Sequence, residues 1–225
     1  MKLRTFQTTE ELISQSLELL RQTLPKLETN DGIMLAGGKT PLEIYRRAAA
    51  ENLATAGKLF LSDERYVPVT DPQSNYGRIA PFFKVGQASC LSGQAGSLSY
   101  VVRVKTELPI KAAAQALHDD LSKIGCIPLG LLGLGSDGHT ASLFNLQNAS
   151  LRDERLAIPV IKTKKPDRIS VTPALLHRIE KIIILATGKE KKAVIQTLLE
   201  KPETIPAGVA LADHPNVAVW TDKSI

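Results

Sequence analysis

Four short apolar runs, each ending in glycine or charged residues ahead of a helical stretch, constrain this chain more than anything else in its 225 residues. They cover residues 33–36, 58–62, 129–134 and 181–186. Runs of this length, bounded by turn residues, have the signature of buried strands. The turns that follow, at 37–41, 62–66, 135–140 and 187–189, carry polar or basic side chains. Strands alternating with helices predict an α/β fold with a doubly wound, mainly parallel sheet and helices on both faces, Rossmann-like in kind. In a parallel sheet all strand-to-helix turns lie on one edge, so residues far apart in sequence converge there.

The remaining elements fit the same alternation. Thr8-Thr9-Glu10-Glu11 reads as a capping box. Ile13, Leu17, Leu20 and Leu24 then mark one face of a first helix that Pro25 closes. The N-terminal residues 1–7 read as leading straight into that helix. Pro41 suits the first turn of a helix reaching about Asn52, and Ser74-Asn75 opens another towards Phe83. Residues 86–99, rich in Gly, Ser, Gln and Ala, read as a loop, and 109–124 as a helix with His118 on its surface. Further strands are expected at 100–104, 156–160, 168–171 and 216–220. Thr172 caps a helix from Pro173, and Lys189 opens one to about Glu200. His177 and His214 show no partner pattern. With no internal repeat, residues 1–225 read as a single domain.

The composition narrows the classes of function. Apolar residues at 43% and charged ones at 23% are ordinary for a globular protein, and no apolar run approaches the ~20 residues of a membrane span. Cys90 and Cys126, far apart, make neither a disulfide framework nor a zinc cluster and fit a reducing cytoplasm. The formal charge of +5 suits small anionic ligands. Nucleic acid is not expected, because the densest basic run, 162–168, is short and broken by Pro166, and aromatics are only 4%; membrane association is not expected either.

Chemistry is concentrated at 130–144. Gly133, Gly135 and Gly138 free the backbone to turn sharply, and Asp137 and His139 arrive at the end of a strand. Residues 140–144 read as the first turns of a helix. His139 carries the one side chain that naturally titrates near neutral pH. Gly133 to Gly138 is formally the G-x-G-x-x-G of dinucleotide sites, but no second strand ends in an acidic residue about 20 positions on. A nucleophile elbow fails because Leu134 occupies a position that needs glycine, and a Walker loop fails at Ile33. At 37–40, glycines bare the backbone N–H groups of a helix N-terminus, with Lys39 and Thr40 adding a charge and a hydroxyl, which makes an anion site. Asp63, Glu64 and Arg65 arrive together at another strand end. Glu64 reads as part of a salt-bridge cluster shaping the loop, while Arg65 offers a planar fork for an anion or a carbonyl oxygen.

The stretch Gly-Leu-Gly-Ser-Asp-Gly-His-Thr-Ala-Ser-Leu-Phe (133–144) resembles the signature of the 6-phosphogluconolactonases. Ala-Gly-Gly-Lys-Thr-Pro (36–41), Ser-Asp-Glu-Arg-Tyr-Val-Pro (62–68) with Ser74-Asn75, and Arg-Ile-Ser-Val-Thr (168–172) follow that family's order. The resemblance covers nearly the whole chain; Asn145 stands where the family usually has proline. It implies a sugar-phosphate isomerase type of scaffold and hydrolysis of 6-phospho-D-glucono-1,5-lactone, with His139 as general base, Asp137 either orienting it or only shaping the turn, and Arg65 or turn amides facing the oxyanion. Gly37, Gly38, Lys39, Thr40, Asp63, Arg168 and Lys189 would bind the phosphorylated sugar lactone. No cofactor, metal or nucleotide is implied, and a monomer is expected. The related glucosamine-6-phosphate deaminases would use a carboxylate such as Asp63 as base. They read Asp-Glu-Tyr and Ala-Phe-Asn-Glu where this chain has Asp63-Glu64-Arg65 and Ala141-Ser142-Leu143-Phe144. A non-catalytic sugar-phosphate sensor would keep the phosphate contacts but has no need of His139.

Overall fold

The apolar runs become strands buried on both faces. The computed structural model describes residues 1–83 and 100–223; the loop expected at 86–99, with Cys90, lies outside the described residues. In chain order the elements are β1 (Lys2–Phe6), α1 (Thr9–Thr23), β2 (Gly32–Leu35), α2 (Lys39–Ala50), β3 (Lys58–Leu61), β4 (Asp63–Arg65) and α3 (Asn75–Ile79). Then come β5 (Tyr100–Val102), α4 (Ile110–Ser122), β6 (Leu129–Gly133), α5 (Leu146–Ala149), β7 (Ala157–Val160), β8 (Arg168–Val171) and α6 (Pro173–Leu176). The chain ends with β9 (Ile182–Leu185), α7 (Lys192–Glu200), α8 (Pro206–Ala210) and β10 (Val217–Asp222).

The main sheet has seven strands in the order β1-β10-β9-β6-β2-β3-β5, and every pair in it is parallel. Ile33 and Leu35 of β2 face one hydrophobic cluster and Met34 the other; Ile183 and Leu185 of β9 divide from Ile182 and Ile184 in the same way. α1 and α2 seal one face with Leu12, Leu17, Leu20, Ile44 and Tyr45. α4 and α7 cover the other with Leu117, Leu121, Ile195 and Leu198. Because both faces are covered, the runs show no polar alternation. Among the described residues no helix is long and apolar enough to cross a membrane.

From β2 the chain winds outward through β3 to β5, then returns to lay β6 on the other side of β2 before moving out to β9 and β10. The winding reverses between β2 and β6, and beyond their carboxyl ends lies the crevice where open α/β sheets take ligands.

Several elements depart from the sequence expectations. Residues 2–6 form an edge strand instead of leading straight into α1; only Phe6 is buried, so β1 carries no apolar signature. Residues 63–65 are not a turn into a helix but β4, antiparallel to β8, which pairs with β7 in a second sheet of three strands. Residues 140–144 are not helical. Ala141 has φ +49°, Ser142 N donates to Ser170 Oγ at 3.1 Å and Ser142 Oγ to Asp63 Oδ2 at 2.6 Å. Side-chain bonds of this kind compete with a helical backbone. The helix starts only after Asn145, whose side chain accepts from Asn148 N at 2.8 Å. His118 is half-buried rather than a surface residue, its Nδ1 accepting from Leu156 N at 3.1 Å. His214 is buried, bonded to Ile179 O at 2.8 Å and to Asn216 N at 3.1 Å.

Glu64 ties β4 to the start of α3. Its carboxylate is 2% exposed and accepts from the amides of Arg65, Asn75 and Tyr76 at 2.6, 2.7 and 2.6 Å and from Ser74 Oγ at 3.2 Å. Burial pushes the carboxyl above its ordinary range, against the lowering effect of those amides. Glu64→Ala would strand buried donors, each worth about 1–3 kcal/mol, so a loss of roughly 2–5 kcal/mol is expected in urea unfolding at unchanged m. A midpoint shift equivalent to less than about 0.5 kcal/mol, the scale of an ordinary surface change, would show that Glu64 does not hold β4 to α3.

Candidate functional site

Three glycine-bearing turns meet at the crevice. After β2, Gly38 has φ +111°, a conformation that glycine adopts at little cost. It is the N-cap of α2, so the first-turn amides open outward there. After β9, Gly188 (φ +101°) leads into a 3-10 turn, Lys189–Lys191, ahead of α7. Thr40 Oγ1 and Thr187 Oγ1 lie 3.0 Å apart. Because β2 and β9 flank β6, that bond ties the two turns together across the end of the central strand. Asp222 steadies the second turn by accepting from Gly188 N at 3.2 Å.

The third turn follows β6. Gly138 N donates to Gly135 O at 3.0 Å and Gly135 N to His139 O at 2.8 Å, bringing Asp137 and His139 together. Asp137 Oδ1 is 2.5 Å from His139 Nδ1. Burial opposes ionisation of Asp137, but the hydrogen bond and charge of His139, with the amides of both residues, hold its carboxyl below the usual range. An ionised carboxylate only accepts, so Nδ1 carries a proton, and in the neutral imidazole Nε2 is then the nitrogen with the free lone pair. The imidazole packs on Phe144, ring centroids 4.5 Å apart, and Lys162 Nζ sits 3.4 Å from the Phe144 centroid on the same ring.

The small sheet adds two guanidiniums. Arg65 and Arg168 are direct partners in the β4–β8 register, which places like charges on one face at a cost in stability. Arg65 Nη1 donates to Gln73 O at 2.6 Å, Arg168 Nη1 to Pro166 O at 3.3 Å, and neither forms an ion pair among the described residues. Burial, then the Arg65 charge, presses the Arg168 guanidinium below its usual range, against the pull of Asp63, Glu64 and Asp167.

These elements enclose a cavity of about 550 Å³. Of the residues expected from sequence, Gly37, Gly38, Lys39, Thr40, Asp63, Arg65 and His139 line it. Asp137 stands behind His139 and Arg168 beside Arg65, both outside the lining. Lys189 is exposed and also outside it; Lys191, two residues on, faces the cavity instead. Asn75 and Thr187 line it too, although sequence reasoning did not assign them to the site. The signal for Thr187 is the Thr-Gly-Lys turn, which repeats the composition of Gly38-Lys39-Thr40. Among the described residues no group of three His, Cys, Asp or Glu side chains is placed to hold a metal ion.

A polar cavity carrying Lys39, Arg65 and Lys191 beside Asp63 and Glu190, at the switch point of a parallel sheet, with an Asp–His pair in one turn and open helix amides in another, defines an α/β protein with a ligand crevice at its sheet edge. Residues 7–220 match the family model described as glucosamine-6-phosphate isomerases/6-phosphogluconolactonase. Among curated relatives, the 6-phosphogluconolactonase of Thermotoga maritima is 33% identical over 91% of this chain and 90% of its own length. That of Caulobacter vibrioides is 32% identical over 99% and 98%. The crystal structure of the Thermotoga maritima 6-phosphogluconolactonase superposes with a TM-score of 0.78 at 26% identity, covering 98% of each chain. A monomeric glucosamine-6-phosphate deaminase shares the fold with a TM-score of 0.73 at 21% identity, over 100% of this chain and 98% of that one. This chain belongs to the glucosamine-6-phosphate isomerase/6-phosphogluconolactonase family.

Gly135 is the tightest point of the site. A Cβ there would lie 2.2 Å from His139 Nδ1 and 2.5 Å from Asp137 Oδ1. Gly135→Ala should therefore fold but push the imidazole off the carboxylate, seen as displaced His139 ring resonances in NMR spectra. Unchanged resonances would show that the pair does not depend on this contact.

Proposed function

We propose that this protein hydrolyses 6-phospho-D-glucono-1,5-lactone to 6-phosphogluconate, with His139 as general base. The observation that carries the reading is the Asp137–His139 pair, set in the turn between two basic, glycine-fronted turns. The phosphate sits on the Gly38-Lys39-Thr40 turn and the Thr187-to-Lys191 turn, joined by the hydroxyls of Thr40 and Thr187. Lys191 is the second-turn cation in this reading, because it lines the cavity and Lys189 does not. Arg65, with Arg168 beside it, completes the cationic wall. Anchoring the phosphate fixes the lactone ring, so its carbonyl meets a positioned water.

His139 Nε2 takes a proton from that water as its oxygen bonds to the carbonyl carbon. The carbonyl oxygen becomes an oxyanion that the Arg65 guanidinium stabilises, while Asp137 stabilises the imidazolium through Nδ1–H. The tetrahedral centre then collapses, the bond to the ring oxygen breaks, and Nε2 returns its proton to that oxygen. Asp63 is a positioning residue in this scheme, since Ser142 Oγ already donates to its Oδ2.

The test follows acid release from freshly made phosphogluconolactone, above the spontaneous background, beside ammonia release from glucosamine-6-phosphate. Acid without ammonia supports the reading; ammonia alone, or neither, contradicts it. His139→Asn keeps one hydrogen-bonding edge but removes the base, and is expected to lower kcat by about 10²–10⁴. A folded variant with near-normal kcat would reject the mechanism. Lys39→Ala or Lys191→Ala should raise KM about ten- to a hundredfold for the phosphorylated lactone, as expected for loss of a charge-assisted contact of about 1.5–3 kcal/mol, and change it little for plain gluconolactone. Equal losses on both substrates would place these cations away from the phosphate.

A further inference from the structure

Asn75 is the most deeply buried polar side chain in the cavity wall, at 1% exposure. Its backbone N–H is taken by Glu64, and its Nδ2 donates to the backbone oxygen of Asp63 at 3.0 Å. A carbonyl oxygen only accepts, so that bond fixes which end of the carboxamide is nitrogen and which is oxygen. The oxygen, Oδ1, is buried and has no hydrogen-bond partner among the described residues. A second buried, unpartnered polar atom is Arg65 Nε, in the same wall. Leaving such atoms unmet costs about 1–3 kcal/mol each, and stored cost of this kind gathers at ligand sites.

The position of Oδ1 narrows the ligand group. A Cβ built on Gly37 would lie 2.6 Å from Oδ1 and 2.8 Å from Nδ2, so the carboxamide packs directly on the glycine that opens the first turn. A ligand held on that turn therefore presents its neighbouring atoms to Asn75. The group must donate to Oδ1. A hydroxyl does so and can also accept from the Arg65 guanidinium in the same wall, whereas an ammonium has no lone pair to accept with.

We propose that Asn75 is a specificity-determining residue that accepts a hydrogen bond at Oδ1 from one ring hydroxyl of a phosphorylated sugar lactone. The inference rests on the proposed lactone hydrolysis. A site built around a buried acceptor selects against an analogue lacking the donor, because the acceptor is then left unmet.

The experiment compares kcat/KM, above spontaneous hydrolysis, for 6-phosphogluconolactone and its 2-, 3- and 4-deoxy analogues. In the wild type one analogue should fall roughly ten- to a hundredfold, the equivalent of one lost buried hydrogen bond. Asn75→Ala should lose a similar factor on the full substrate while that one analogue is nearly unchanged, so the ratio collapses towards one. Asn75→Leu, closer in shape and equally without an acceptor, repeats the test if the alanine variant does not fold. Asn75→Asp keeps an acceptor and should restore the wild-type ratio. Variants that retain the ratio, or that lose equally on all four lactones, overturn the role of Asn75 and leave the hydrolysis standing. A wild type that hydrolyses none of the four fails the functional reading itself.

Discussion

The parallel hydrogen-bonding register of the main sheet is the constraint on which everything else depends. With every strand running the same way, β2, β6 and β9 deliver their turns to one edge. The reversal of winding between β2 and β6 then opens a crevice there. Burial of both faces stabilises that arrangement: Ile33, Met34, Leu35, Ile182, Ile183 and Ile184 are each 0% exposed. The apolar core thus fixes the positions of polar turns that contribute little to it.

Stability is given up locally at that edge. Among the described residues, Arg65 and Arg168 face each other in register without carboxylate partners, and Asn75 Oδ1 and Arg65 Nε are buried unmet. Ala141 holds a positive φ beside the cavity. The facing guanidiniums and the unmet atoms are costs that the proposed anionic, hydroxyl-bearing ligand would relieve, and none of these features improves the fold by itself. Glu64 works in the other direction. It gathers three amides and a hydroxyl so that β4 and α3 stay in place while their neighbours remain unsatisfied.

What was legible in the sequence follows burial. Strands β2, β3, β6 and β9 showed as continuous apolar runs because both of their faces are covered. The edge strand β1, buried only at Phe6, and β4, made of three charged residues, carry no such pattern. The 140–144 segment has helix-compatible composition, yet Ser142 bonds to Asp63 and Ser170 and holds it out of a helix. These are partners 79 and 28 residues away, which no local pattern reveals. In the candidate site, His139, Arg65 and the Gly37-to-Thr40 turn were legible as residue types at strand ends. The exchange of Lys189 for Lys191 was not, because which lysine faces the cavity depends on the 3-10 winding of that turn. Asn75 was visible as a helix start and as part of the Ser74-Asn75 piece of the family pattern, but its side-chain role was not, since that depends on contact with Gly37.

The central claim is that the two hydroxyl-linked turns hold a phosphate while the Asp137–His139 pair faces the reacting carbon. A crystal structure of the wild-type protein with bound 6-phosphogluconate tests it most directly. The account predicts the phosphate on the amides of 38–40 with Thr187 and Lys191 against it, and the product carboxylate, which marks the former lactone carbonyl, within hydrogen-bond reach of His139 Nε2, about 2.6–3.2 Å. A phosphate bound at His139, or a carboxylate turned away from it towards Lys39 and Lys191, would contradict the account.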